Sequence, residues 1–305
     1  MAIEYGSSPG NSQFVAAAMN PAVWALLADI QDTFQFCVNL NPAATGSTQT
    51  KIGQVQWDDA MASAAEAASI SATDPTMSSV TCTIGRYALR RDVTDLYSLA
   101  GPPSGATIAD FAARMADAAS RARTAAVTGL FTAVSNSVGP GSGVALDVDS
   151  FYDGMFQLTT SRVPTPWVCL LSPAQLVDLQ NGLRSASGPA QYVPATQEML
   201  RGAGPGLSGT FEGVQIWSSD QVTNDGTDAT GCMWGMGAFG YQESPVASIA
   251  SIPSVMAQSV PAASPILVEF ERSAASATTS VVGSYYFGVC ETEDARAVGI
   301  VSKKD

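Results

Sequence analysis

The sequence predicts an α+β protein built around one long helix. Three observations carry this. Residues 107–138, TIADFAARMADAASRARTAAVTGLFTAVSNSV, place apolar or small side chains at Ile108, Phe111, Met115, Ala118, Ala122, Ala126, Leu130 and Val134. That three-or-four spacing is one stripe of an amphipathic helix. Runs that alternate polar and apolar side chains flank it on both sides, which is the period of half-buried strands. Between them, the all-apolar run Trp167–Leu171 leads through Ser172-Pro173 into a second helical pattern, a buried strand followed by a capped helix.

In chain order, residues 1–20 read as a polar arm, and Asn20-Pro21 starts a helix with Val23, Leu26, Leu27, Ile30 and Phe34 on its apolar face. After the loop 41–48, residues 51–57 and 80–90 alternate and enclose a weakly hydrophobic middle, the pattern of a long β-hairpin. Two strands alone are marginal in water, so this hairpin needs a partner surface. The long helix opens with Thr107 and Asp110 as a capping box and stops at Gly139-Pro140; over that length it spans roughly 45 Å. Asp110 precedes Arg114 and Asp117 precedes Arg121 by one turn, the favourable order for ion pairs along a helix. A second module follows, with the helix bearing Leu176, Leu179 and Leu183, a Gly/Pro-rich stretch 186–210 around a short helix at 196–200, and strands at 214–217 and 232–234 joined through Asn224-Asp225-Gly226. From Ile266 to Val301 the chain returns to β-like alternation.

Composition narrows function. Of 305 residues, 46% are hydrophobic, enough for a core, but only 13% are charged. Soluble domains normally carry about a quarter. A surface so poor in charge suits a subunit covered by copies of itself; the alternative is an enzyme rich in small residues. The net charge of −13, with lysine only at Lys51, Lys303 and Lys304, disfavours a phosphate-gripping face. No histidine occurs, so Ser-His-Asp and Cys-His catalysis is excluded. Five scattered cysteines without a CxxC pair read as reduced, buried residues of a cytosolic chain. The start MAIEYGSSPG has neither a basic region nor an apolar run, so no signal peptide is expected, and no stretch is long and apolar enough to predict a membrane helix.

The motifs are weak as chemistry. Gly204-Pro205-Gly206-Leu207-Ser208-Gly209 matches GxGxxG by letters, but a helix precedes it and a strand follows, the reverse of what a dinucleotide site needs. Asn224 to Asp228, and Asp147, Asp149 and Asp153, offer oxygens without the ligand order of a calcium loop. Glu269 and Glu271 share a strand face, and Glu291, Glu293 and Asp294 cluster, yet nothing in sequence pairs them spatially for acid–base work. No catalytic residue, cofactor or metal is therefore expected. Arg86, Arg90, Arg91 and Asp92 form one mixed-charge knot, read either as a solvated strand end or as intersubunit ion pairing.

The order arm, long hairpin, long alanine-rich helix, α/β module and returning strands resembles the major capsid proteins of tailed bacteriophages, the Hong Kong 97 fold. The blocks WVCLLSPAQLVDLQNGL (167–183), GTFEGVQIW (209–217), VEFER, YYFGV and ARAVGIVS carry the resemblance by their order. It implies an N-terminal arm over 1–45, an extended loop over 46–92, a peripheral domain over 93–143 with its spine helix at 107–138, an axial domain over 144–244, and return strands of the peripheral domain over 245–305. It implies hexamers and pentamers closing an icosahedral shell around double-stranded DNA, in a virion assembled in the host cytoplasm. With only about 45 residues before the hairpin, it further implies an uncleaved start and a separate scaffolding protein, beside a portal and a possible decoration protein. One branch of the family crosslinks a loop lysine to an asparagine; Lys51 is the sole hairpin candidate, and residues 273–280 contain no asparagine, so no crosslink is expected. Lys51, Trp57, Arg86, Arg90, Arg91 and Asp92 are the candidate interface residues. The alternatives are an encapsulin, a cellular shell of the same fold, and more remotely a carboxylate-dependent intracellular hydrolase.

Overall fold

A computed structural model describes residues 22–23, 25–27, 32–40, 49–55, 77–94, 104–185, 192–194, 207–245 and 264–304. The predicted arm 1–20, the loop 41–48, the short helix 196–200 and Trp57 lie outside the described residues. In chain order the strands are β1 (Val38–Asn39), β2 (Gln49–Val55), β3 (Met77–Thr83), β4 (Gly85–Thr94), β5 (Ser137–Val138), β6 (Trp167–Leu171), β7 (Tyr192–Pro194), β8 (Leu207–Phe211), β9 (Val214–Ser218), β10 (Asp228–Gly235), β11 (Phe239–Glu243), β12 (Ile266–Ser273), β13 (Thr278–Glu291) and β14 (Ala297–Lys303). Helix α1 is Ser104–Thr128, α2 is Val148–Thr160 and α3 is Pro173–Ser185.

Helix α1 starts before Thr107 and ends before the predicted Val138. Its 25 residues span roughly 37 Å. The helix stops where Gly129, a poor helix former, follows Thr128. Thr128 Oγ1 donates to the Gln221 carbonyl at 2.7 Å, and Thr223 Oγ1 donates to the Thr128 carbonyl at 3.0 Å. Phe131 then turns in against Trp234 and Phe239, with ring centroids 5.5 and 5.7 Å apart. Leu130 and Val134, which extend the stripe by spacing, instead flank a 3₁₀ turn at Phe131–Ala133, and Ser137–Val138 becomes a strand beside β14. The buried seam is also rotated from the predicted one: it runs Ala112, Met115, Ala116, Ser120, Arg123, Val127. Arg121 reaches away from the helix to Asp220 at 3.0 Å rather than back to Asp117.

The predicted strand over 80–90 is two strands. β3 pairs with β2 in an isolated antiparallel hairpin, registered from Gln49↔Thr83 to Val55↔Met77. After Ile84 the chain passes onto a different sheet, where β4 lies antiparallel to β13 from Gly85↔Phe287 to Thr94↔Thr278. That five-stranded sheet runs β1-β11-β13-β12, with β4 on the other edge of the long β13. The hairpin's described side chains are exposed or half-exposed except Cys82 at its root.

The second sheet has seven strands, β5-β14-β10-β6-β9-β8-β7. The strands at 214–217 and 232–234 are therefore not a hairpin pair. All five residues of β6 are buried, and it inserts between β9 and β10, parallel to the first and antiparallel to the second. Apolar residues run continuously through β6 because both faces are covered. One face carries Cys169, Leu171, Ile216, Met233, Val298 and Ile300 under α2 and α3. The other carries Val168, Leu170, Trp217 and Trp234, continuous with the core under α1 and the five-stranded sheet. The last strand, β14, closes against β10.

The start of α3 shows how the sequence folds locally. Ser172 Oγ accepts from the Gln175 N–H at 3.2 Å, while Gln175 Oε1 accepts from the Ser172 N–H at 3.0 Å, a reciprocal capping box. Gln175 Nε2 spends its protons on the carbonyls of Ala229 and Ile300 and on Ser302 Oγ, tying the helix start to β10 and β14. This works only because Gly231 has no side chain: a Cβ there would lie 2.9 Å from Gln175 Oε1 and from the Leu170 carbonyl.

Candidate subunit interface

The mixed-charge knot sits on β4, not in the hairpin. Alternation along β4 puts Arg86, Arg90 and Asp92 on the sheet face away from α1. Arg90 Nε donates to Asp92 Oδ1 at 2.9 Å and its Nη2 donates to Ser280 Oγ at 2.8 Å. Ser280 Oγ in turn donates to Asp92 Oδ1 at 2.6 Å, and Arg86 donates to Ser284 Oγ through Nε at 3.1 Å and Nη2 at 2.8 Å. The serines are buried beneath these guanidinium groups, which themselves remain exposed. Hydrogen bonds from Ser280 and then Arg90 hold Asp92 below the ordinary carboxylate value.

Register explains a second feature of this face. β12 and β4 flank β13, so Glu271, Ser280 and Asp92 form one row across the sheet, and Glu269, Val282 and Arg90 form the next. The glutamate pair and the arginine knot, far apart in sequence, thus make one surface of mixed sign. Arg91 takes the opposite face, opposite Val281, and is exposed. Lys51 is exposed on β2. Trp57 lies outside the described residues, so the structure brings together Arg86, Arg90 and Asp92 but not the whole predicted set.

The sequence reading passed over an exposed apolar group. Phe156 is 70% exposed and Tyr152, one turn earlier on α2, is 41% exposed, while Val177 on α3 is 54% exposed. The i,i+4 spacing of Tyr152 and Phe156 was available as a signal; what hid it was the adjacent Phe151, which takes the core position. Tyr152 and Phe156, one turn apart, lie on the same exposed side of α2.

Beneath the five-stranded sheet lies a buried ionic network with no sequence signature. Arg123 of α1 donates to Asp32 Oδ2 at 3.1 Å, to Glu243 Oε1 at 2.7 Å and to the Tyr285 hydroxyl at 2.5 Å. The Tyr285 hydroxyl donates to Glu243. The guanidinium also lies 4.9 Å from the Phe34 ring centre and 5.2 Å from that of Tyr285. Burial opposes the charge on Arg123, but Tyr285, Asp32 and Glu243 together hold it protonated. Burial pushes Asp32 above its ordinary value even with Arg123 beside it. Four stretches of chain meet at this one cation.

Two of the acidic groups singled out by sequence hold local structure. Asp147 caps α2 by accepting from the Ser150 N–H at 2.8 Å, and Asp225 accepts from the Thr227 and Asp228 N–H groups in a turn. Among the described residues, no group of three or more His, Cys, Asp or Glu side chains is placed to hold a metal. No helix among them is long and apolar enough to cross a membrane. Leu207–Phe211 is a strand, so the last letters of the GxGxxG match fall on β8 rather than on a helix start.

No protein-family model matches the chain, and no curated protein matches it. Solved structures do. The capsid of Ralstonia phage GP4 is similar with a TM-score of 0.66 at 10% identity, covering 90% of this chain and 92% of that one. A structure of Mycobacterium phage Che8 matches with a TM-score of 0.53 at 16% identity over 84% and 85% of the two chains. The holo-SrpI encapsulin complex from Synechococcus elongatus matches with a TM-score of 0.59 at 13% identity over 91% and 86%. At these identities the likeness is one of fold: this chain has the mixed α/β arrangement of phage capsid chains.

Proposed function

We propose that this protein is the major capsid protein of a tailed phage, a Hong Kong 97-type subunit whose copies close into the icosahedral head around double-stranded DNA. The observation that carries the reading is a fold shared over nine-tenths of the chain with a phage capsid, bearing a two-stranded hairpin whose described side chains, Cys82 apart, are exposed or half-exposed. In this reading α1 is the spine helix of a peripheral domain over 93–143, and 144–244 supplies the axial domain around pentamer and hexamer centres. Residues 245–305 return to the peripheral domain, and 1–45 form an arm.

The mechanism makes no bond. The β2–β3 hairpin lies over an adjacent subunit, which gives its strands the burial they lack alone. Mixed-sign faces such as Arg86, Arg90, Asp92, Glu269 and Glu271 set register between copies, and Tyr152, Phe156 and Val177 supply apolar contact. Each contact is modest, and closure multiplies it. The net charge of −13 suits a wall that encloses phosphate without gripping it. Assembly takes place in the host cytoplasm with a separate scaffolding protein and a portal, and a decoration protein fits the same scheme. The chain acts as structure, not as an enzyme.

Electron microscopy of the expressed protein, alone and with the head-assembly genes of its own phage, tests this. Closed shells of uniform diameter are expected; a monodisperse small species under both conditions overturns it. The encapsulin match supports one second reading, a cellular compartment shell, which predicts a protein cargo inside purified particles in place of DNA.

A further inference from the structure

Of the five cysteines, all free and buried, only one pair is opposed. Cys169 lies opposite Met233 and Cys232 opposite Leu170, so these two thiols point to opposite faces of the seven-stranded sheet and belong to different cores. Cys37 donates to the Thr33 carbonyl within its own turn. Cys82 and Cys290 differ. The β4–β13 register runs to Gly85↔Phe287, and carried on past that pair it sets Cys82 opposite Cys290. The backbone confirms the approach: Thr83 crosses so closely over Gly288 that a Cβ there would lie 2.2 Å from the Thr83 carbonyl oxygen. The two thiols are hydrogen-bonded to each other.

We propose that Cys82 and Cys290 are a redox site: they oxidise to an intrachain disulfide that clamps the root of the β2–β3 hairpin to β13. A disulfide spans Cα separations of about 4.4–6.8 Å, and the side chains of Cys82 and Cys290 already lie within hydrogen-bonding reach of each other. The hydrogen bond between the two thiols holds Cys82 below its ordinary value and, with burial, pushes Cys290 above its own, so the first attack is assigned to Cys82. The oxidant is a low-molecular-weight disulfide. Cys82 thiolate attacks one of its sulfurs and expels the first small thiolate, leaving a mixed disulfide. Cys290 thiolate then attacks Cys82 Sγ and expels the second. The two cysteine protons end on the two small thiols, so the protein is oxidised by two electrons and the reagent reduced by two.

Because both thiols are buried, exchange waits on opening of the chain at Ile84, the residue between β3 and β4. The pair therefore stays reduced while the chain folds in a reducing cytosol and closes later in an oxidising medium. Its consequence for a shell rests on the proposed capsid role: a clamped hairpin fixes the angle at which one subunit reaches its neighbour.

The test is to incubate the full-length protein in glutathione buffers of rising oxidised fraction, quench with acid, alkylate, digest and map by mass spectrometry. The expected result is one peptide pair joining Cys82 to Cys290 within a single chain, two of five thiols lost, full reversal by dithiothreitol, and a melting temperature higher by about 5 °C in the oxidised form. Cys82→Ser and Cys290→Ser should each abolish that pair, but the wild-type map decides the matter even if a variant folds poorly. Five unreacted thiols, glutathione adducts alone, a different pairing or linkage between chains would each overturn it. Linkage is read on denatured chains, whereas shells are read by microscopy, so either result can fail without the other.

Discussion

Arg123 Nη2 donates to Glu243 Oε1 at 2.7 Å, and through this pair the long helix is fastened to β11. With Asp32 and Tyr285 on the same guanidinium, one side chain of α1 joins the N-terminal segment and two strands of the five-stranded sheet. A buried cation with several acceptors is costly to disturb on one side only, since the partners stay behind unpaired.

Arg123→Leu should therefore lower stability by about 3–5 kcal/mol, read as a shift in urea midpoint. Adding Asp32→Asn to that variant should recover part of the loss, because one stranded carboxylate is removed.

Glu291 gives a pH signature. Burial first, and then the hydrogen bond and charge of Asp294, push its carboxyl up to about 7. The folded protein thus holds this proton more tightly than the unfolded chain, whose value is near 4.5. The resulting stability is complete below that lower value and is lost as pH rises through about 7. Asp294 shifts the other way: against burial, the Ser135 N–H and Glu291 hold it low, so its contribution fades only in stronger acid. Thermal melting should fall between pH 5 and pH 8 more in the wild type than in Glu291→Gln; parallel curves would refute this.

Gly288→Ala is predicted to pry the hairpin root from β13, because the new methyl meets the Thr83 carbonyl at 2.2 Å and backbone must move. Hydrogen exchange should quicken across β2 and β3 while β6 stays protected. Unchanged protection in the hairpin would count against the packing described.

Arg90→Glu and Phe156→Asp separate folding from assembly. Both side chains are exposed: Phe156→Asp should leave circular dichroism and melting of the isolated chain near wild type, and Arg90→Glu, which sets a carboxylate beside Asp92, should keep the fold with a modestly lower melting temperature. Shell yield by sedimentation should drop severalfold for each. Full yield from either variant removes that residue from the interface.

Intact-mass spectra of denatured particles should show monomer-sized chains only, since Lys51 is the sole lysine of the hairpin and the 273–280 turn has no asparagine. Ladders of linked chains would overturn this.

The legible parts of the fold were those fixed by local chemistry. Trp167–Leu171 and the helix after Pro173 are read directly because a fully apolar run and a Ser-Pro start leave little choice. The Ser172-x-x-Gln175 capping box was also visible in the letters. What escaped reading was set by distant partners. The end of α1 depends on Thr128 bonding Gln221 and Thr223, and the burial of Arg123 depends on Asp32, Glu243 and Tyr285. Of the candidate interface, the charge knot was visible as residues. Its union with Glu269 and Glu271 was not, because only the β12–β13–β4 register creates it. Periodicity alone could not reveal that the run 80–90 changes sheets at Ile84.

That change of sheets has a mechanical meaning. One unbroken backbone passes from the hairpin into β4, and β4 lies along β13 for ten residue pairs. A tug delivered through β3 reaches the subunit as shear along β13, spread over many rungs at once, rather than peeling them one by one. Such a joint behaves as a lever with a stiff fulcrum, so a displacement applied to the hairpin is carried into the five-stranded sheet instead of being absorbed in a slack loop.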